Sequence, residues 1–354
     1  MKPEKCRVAL IGYGGMAHWH GRLLKTMPDE FEVVGAYDID PDACRRFEED
    51  FGIPAYPSVE ALWQDPRPEV CLVAVPNDLH RDLVIGTLEH GKAAVCEKPV
   101  TLSSGDLEEM IAASERTGCL FTVHQNRRWD EDYRTVRRIC EENLLGKVFN
   151  VESRVHGSRG IPGDWRNTPE HGGGMIYDWG IHLFDQILML TGGKKIVSVY
   201  CDLTHVTNDA VDDGFKALLR FEDGLRAHIE VGTSNFVELP RWYVQGENGT
   251  AVVEDWALHG RIVKVRDWEN RDAVPVVTAA GLTKTMAPRT DETISEQPLP
   301  TVHADIHDYW RNIRDVLNGT ATPFVTHEQL RRSMKLMEAC FLSARENQVV
   351  KTSI

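Results

Sequence analysis

Cys6 to Ile11 is an apolar run that breaks off in Gly12-Tyr13-Gly14-Gly15-Met16-Ala17, and this junction constrains the fold more than any other segment. A run without polar alternation suits a parallel strand covered on both faces. After the glycines, Met16, His20, Leu23, Leu24 and Met27 recur at helical spacing. Phe31 to Tyr37 reads as a second strand, and Asp40 with Pro41 supplies the N-cap and first residue of a second helix. That helix carries Ala43, Phe47 and Phe51 on one face and stops at Gly52. The alternation continues with a strand at Val70 to Val75, then a helix opened by Pro76-Asn77-Asp78 and carrying Leu79, Leu83, Val84 and Leu88. Ala93 to Cys96 comes next, then a helix capped by Ser103 or Ser104, bearing Leu107, Met110 and Ile111 and ended by Gly118, and finally a strand at Cys119 to Val123. Such alternation predicts an α/β Rossmann domain, a doubly wound parallel sheet whose ligand lies outside the carboxyl ends of the strands.

That edge is chemically equipped. Gly12-x-Gly14-x-x-Ala17 opens a helix, and Asp38 stands at the tip of the second strand, roughly 20 residues on, where a carboxylate can accept hydrogen bonds from an adenosine ribose. Its charge would oppose a 2′-phosphate and Ile39 supplies no cation, so NAD is expected over NADP. The expected cofactor-binding residues are Gly12, Gly14, Gly15, Met16, Asp38, Pro76, Asn77, His80, Glu97 and Lys98. Lys98, directly after a buried strand in Glu97-Lys98-Pro99, is the cation best placed to face both cofactor and substrate.

A chain of 354 residues is too long for one core and divides most naturally at residue 125, with 1–125 binding the dinucleotide and 126–354 forming a second unit. A helix from about Asp132 to Glu142 ends the βα rhythm. Strands then read at Lys147–His156, Ile196–Val206, Phe215–Phe221, Leu225–Gly232, Arg241–Gly246, Ala251–Glu254 and Arg261–Val265. Period-two alternation at Arg226 to Val231 predicts an α+β domain with a large, mostly antiparallel open sheet. Residues 267–300 show no period and read as an irregular excursion, and two amphipathic helices close the chain, the second with a Thr326 to Gln329 capping box. The net charge of −14 without a basic stripe argues against nucleic acid. Eight scattered cysteines read as reduced thiols, and neither the N-terminus nor any apolar run suits a signal or membrane segment, so a cytoplasmic protein with no membrane partner is expected.

In the second unit Gly172-Gly173-Gly174 precedes Met175-Ile176-Tyr177-Asp178-Trp179-Gly180-Ile181-His182. On a helix Asp178 and His182 share a face, so the carboxylate could orient the imidazole for general-base work. Asp178, His182 and His171 could instead ligate a metal, but they lack a compact ligand spacing and no metal is expected.

With Gly12-x-Gly14-x-x-Ala17, Asp38, Pro76-Asn77, Glu97-Lys98-Pro99 and Gly172-Gly173-Gly174…Asp178-x-x-x-His182 in this order, nearly the whole chain resembles the Gfo/Idh/MocA oxidoreductases. The resemblance implies tight NAD(P) binding, hydride transfer at a carbinol carbon of a sugar, glycoside or cyclitol, and association as a homodimer or homotetramer. It implies Lys98, Asp178 and His182 as catalytic residues, and places Asn77 and Glu97 by the nicotinamide and its ribose. Either Lys98 or His182 could take the proton. Arg127, Trp165 and His171 join Lys98, Asp178 and His182 as candidate substrate-binding groups, a mixture of charge and flat aromatic surface suited to a polyhydroxylated ring. Two other functions use the same residues: a redox cycle that retains NAD and makes a transient keto-sugar for elimination, glycoside cleavage or epimerisation, and a dinucleotide sensor without turnover.

Overall fold

The computed structural model describes residues 5–354; Met1 to Glu4, the start of the segment read for a signal sequence, lie outside them. Five strands form a parallel sheet: β1 (Cys6–Ile11), β2 (Phe31–Tyr37), β3 (Val70–Val73), β4 (Ala93–Cys96) and β5 (Phe121–Val123), in the order β2-β1-β3-β4-β5. The chain steps one way from β1 to β2 and the other way from β3 onward, so the crossovers diverge between β1 and β3, where such sheets open a crevice. Helices α1 (Gly15–Lys25), α2 (Pro41–Phe51), α3 (Val59–Gln64), α4 (His80–Glu89) and α5 (Ser104–Thr117) connect the strands. The caps obey the sequence signals: Asp40, Ser58 and Ser103 accept from backbone N–H groups, and Gly52 and Gly118 close helices in the left-handed region. The short α3, which no strong periodicity marks, buries Leu62 beneath the sheet edge.

After α6 (Glu131–Glu141) the chain builds a nine-stranded sheet from β6 (Val148–His156), β7 (Ile196–Thr204), β8 (Gly214–Phe221), β9 (Arg226–Gly232), β10 (Trp242–Gly246), β11 (Gly249–Val253), β12 (Gly260–Val265), β15 (Ile294–Pro298) and β16 (Val350–Lys351). Only β6 and β9 pair in parallel; the other neighbours run antiparallel. Phe215, Ala217, Leu219 and Phe221 on β8, with Ala227, Ile229 and Val231 on β9, point into the core. Residues 267–300 are not wholly irregular: β13 (Val276–Thr278) and β14 (Gly281–Thr283) form an exposed hairpin, and β15 joins the sheet edge beside β12. Ile294-Ser-Glu-Gln-Pro carries too few apolar residues to read as a strand, because an edge strand buries little.

Helices α7 (Ile181–Thr191) and α9 (His327–Glu346) pack together over this sheet, α9 against β7. Helix α8 (His307–Leu317) returns to the first sheet, where Tyr309, Trp310 and Ile313 join the core of Val8, Leu10, Phe31 and Phe47. The eight cysteines are free thiols. No helix among the described residues is long and apolar enough to cross a membrane.

Candidate active site

The glycine turn is built for a close neighbour. Gly12 has φ +88°, and a Cβ there would lie 2.4 Å from the Ala74 carbonyl oxygen, so the crossing of β1 over the end of β3 admits only glycine. Gly14 and Gly15 differ: nothing lies within 4 Å of a Cβ at either, and Gly14, Gly15 and Met16 are exposed over the amino end of α1. Those positions leave space, and unpaired helix N–H groups there suit a pyrophosphate. Asp38 is pinned beside the turn, accepting from Tyr13 N at 2.6 Å and Asp40 N at 2.8 Å. Gly12, Gly14, Gly15, Met16 and Asp38 thus fit a dinucleotide. Pro76 is partly exposed at the crevice, but Asn77 is buried and donates to the His171 and Gly172 carbonyls at 3.0 and 3.4 Å, tying the two sheets together.

His80, expected at the cofactor, has its ring enclosed in the protein. Its ring is fully buried, with Nδ1 against the Pro99 and Val100 carbonyls and Nε2 against that of Val75. Both ring nitrogens are thus enclosed by backbone carbonyls, Nδ1 by those after Lys98 and Nε2 by that at the end of the β3 segment. Glu97 is equally enclosed: Oε1 lies 2.8 Å from His20 Nε2 and 2.9 Å from His124 Nδ1, and Oε2 accepts from Lys98 N at 3.1 Å. Burial opposes its ionisation, but His124 and His20 outweigh burial and hold the carboxyl well below its usual range. Burial also lowers His20 to about 4. These three groups are close enough to suggest a metal centre, their ligand atoms lying within 4.8 Å of one another. Trp310 decides against it. Its indole N–H donates to His20 Nδ1 at 3.1 Å, which puts the imidazole proton on Nε2, and a protonated nitrogen cannot ligate.

Lys98 reaches across to the second sheet. Its Nζ donates to both the backbone oxygen and Oδ1 of Asp178, each at 3.0 Å. Asp178 Oδ2 accepts from Arg166 Nε at 3.1 Å, so one carboxylate bridges two cations. Burial alone would raise the Asp178 carboxyl, but Lys98 and Arg166 reverse the sign and keep it below its ordinary value. The expected Asp178–His182 hydrogen bond does not form. Ile176–Gly180 wind as a π-helical turn, which removes the alignment that spacing of four assumes in an α-helix, and both Asp178 oxygens already have cationic partners. His182 is buried with Nδ1 unpartnered, and burial, then Lys98 and Arg127, hold it far below its ordinary pKa, so it is neutral.

The glycine run positions this turn. A Cβ at Gly173 would lie 2.4 Å from the Arg166 carbonyl, and one at Gly174 (φ +102°) 2.2 Å from Asp212 Oδ1. Asp212 Oδ2 accepts from Met175 N and Ile176 N, each at 2.9 Å. The other sequence candidates scatter. Arg127 stacks over Trp179 at 4.1 Å, and Trp179 lies 5.9 Å from His182, so Arg127 adjoins the site. Trp165 packs against the Arg166 guanidinium at 4.6 Å. His171 Nδ1 pairs instead with Asp78 Oδ1 at 2.9 Å. Sequence reading did not single out Asp212, nor the roles of His20, His124 and Arg166. Asp212-Asp213 before an apolar strand was the one local signal for the first.

Fold and site together define a protein with a parallel sheet opened by a glycine turn fit for a dinucleotide, a second open sheet, and a cation–carboxylate contact between Lys98 and Asp178. Residues 6–125 match the oxidoreductase family with an NAD-binding Rossmann fold and residues 133–252 the GFO/IDH/MocA C-terminal domain; the chain belongs to the Gfo/Idh/MocA oxidoreductase family. It is 30% identical to the uncharacterized oxidoreductase YdgJ of Escherichia coli over 97% of both chains. It is 25% identical to the scyllo-inositol 2-dehydrogenase (NADP(+)) IolW of Bacillus subtilis, covering 99% of this chain and 96% of that one. The crystal structure of an NAD-binding protein from Listeria innocua superposes with a TM-score of 0.95 at 42% identity, covering 99% and 100% of the two chains.

Proposed function

We propose that this oxidoreductase transfers hydride between nicotinamide and a hydroxyl-bearing carbon of a sugar, glycoside or cyclitol, with NAD as the preferred cofactor. The observation that carries the reading is the Lys98–Asp178 contact. An ammonium has three N–H donors, and Asp178 takes two of them, leaving one to hold a substrate oxygen in the cleft. Lys98 then stabilises the alkoxide that develops as the carbinol hydroxyl gives up its proton and that becomes a carbonyl as hydride leaves, with Asp178 and Arg166 fixing the ammonium's position in advance. His182, held neutral, is the group taken to accept the hydroxyl proton; its unpartnered Nδ1 is enclosed, so the transfer requires the ring to turn toward the substrate on binding.

The residues that would hold the dinucleotide are Gly12, Gly14, Gly15, Met16 and Asp38; when bound it supplies the hydride acceptor. The Asp38 carboxylate disfavours a 2′-phosphate, and the Listeria relative is described as NAD-binding, whereas IolW is described as NADP-dependent. IolW also supports a polyhydroxylated ring as substrate. The test is a panel of sugars, glycosides and cyclitols with each cofactor, read by reduced-nicotinamide absorbance. Absorbance rising with one substrate group and NAD supports the reading; tight cofactor binding without turnover of any member refutes it.

A further inference from the structure

Trp256 is half exposed, one aromatic ring removed from His182. It sits in the turn between β11 and β12, and that turn is heavily constrained. Asp255 Oδ1 accepts from Ala257 N at 3.0 Å and His259 N at 3.1 Å, and Leu258 is held at φ 64°, a conformation rare for a leucine. Such local strain is retained where the surroundings enforce one geometry. Beneath the indole the Arg241 guanidinium lies 3.9 Å from the ring centroid. Arg241 is itself buried and fixed by Asp132 Oδ2 at 2.6 Å and by the Arg154 carbonyl. The indole is thus held by a rigid cation, with Arg127 and Trp179 also beside it, and half of its surface stays exposed.

The position is continuous with the candidate active site. Trp256 lies 6.1 Å from Trp179, which lies 5.9 Å from His182, and the Arg127 guanidinium stands 4.1 Å from the Trp179 ring and 5.4 Å from that of Trp256. Ring-to-ring steps of 5.9 and 6.1 Å lead from His182 through Trp179 to Trp256, the length scale of a substituent carried by a ring that reacts at Lys98 and His182. Flat aromatic faces take the C–H face of a pyranose, and a tryptophan preset by its neighbours loses little entropy in doing so.

We propose that Trp256 is an outer binding platform for a second sugar ring, so that a glycoside or disaccharide binds more tightly than a lone monosaccharide or cyclitol. This rests on the reading that the reacting carbinol lies at Lys98 and His182. The test uses the NAD-loaded enzyme and its Trp256→Ala and Trp256→Phe variants with a panel of disaccharides and their constituent monosaccharides. Trp256→Ala should raise KM for disaccharides about fivefold or more while kcat and the monosaccharide KM stay unchanged, and Trp256→Phe should restore most of the loss. Disaccharide should quench tryptophan fluorescence in the wild type and not in Trp256→Ala. Equal effects on both sugar classes, or none, overturn the platform. Turnover that ignores Trp256→Ala defeats the platform alone, whereas quenching by disaccharide without turnover of any sugar defeats the proposed reaction alone. Fluorescence that tracks protein concentration and ignores sugar overturns the proposal by assigning Trp256 to a contact between copies of the chain.

Discussion

Asp178→Asn isolates the bridge between the two sheets. The side chains of Lys98, Asp178 and Arg166 retain 14%, 11% and 28% of their exposure, so the bridge is mostly desolvated. Breaking a fully buried ion pair from one side costs about 3 to 5 kcal/mol because a charge is left unpaired. Residual exposure moderates that here, asparagine keeps one acceptor oxygen, and the Asp178 carbonyl still holds Lys98 Nζ. The expected loss is therefore about 2 kcal/mol in urea unfolding, with the fold intact. Activity should suffer more. With the charge gone the ammonium has one firm acceptor in place of two, and a displacement of about 1 Å at a reacting group costs on the order of a hundredfold in kcat. Cofactor affinity should not move, because the glycine turn is untouched. Since Asp178 acts through Lys98, the double variant with Lys98→Ala should be no slower than Lys98→Ala alone. An Asp178→Asn enzyme with wild-type kcat, or fully additive losses in the double variant, would refute the bridge as the device that positions the ammonium.

Asp38→Ala should weaken NAD about tenfold or more, as a charge-assisted hydrogen bond is lost, and narrow the preference over NADP; cofactor titrations measure both, and an unchanged preference means another group reads the ribose. Burial raises the Asp212 carboxyl to about 7 against the backbone N–H groups of Ile176 and Met175. Its folded pKa lies above its unfolded value, so the folded state holds the proton longer and the wild type loses stability as pH rises from about 4 through about 7. Asp212→Asn keeps the acceptor oxygen and cannot ionise, so its melting temperature should gain on the wild type between about pH 5 and about pH 8; a constant difference would show that Asp212 titrates normally.

Much of the first sheet was legible because its signals are local. Asp40 and Pro41, Ser103 and Gly118 mark helix ends within a few residues, and the run from Val8 to Ile11 needs no partner to read as a covered strand. Lys98, Asp178 and His182 were legible as chemistry but not as geometry. Their pattern suggested a carboxylate steering an imidazole, whereas a π turn and Arg166 from the preceding loop send Asp178 to Lys98, 80 residues away. His80 reads equally well as a ligand or a strut until the Val75, Pro99 and Val100 carbonyls are seen around it. Asp212 and Trp256 escaped because each acts through contacts distant in the chain: Asp212 on Met175 and Ile176, Trp256 on Trp179 and Arg241.

Lys98→Ala tests the account most directly. On a substrate identified from the sugar panel, the variant should lose at least about a hundredfold in kcat, the scale of a removed oxyanion donor, while binding NAD with wild-type affinity in a fluorescence titration. Near-normal turnover by that variant would contradict the assignment of the ammonium to the reacting oxygen.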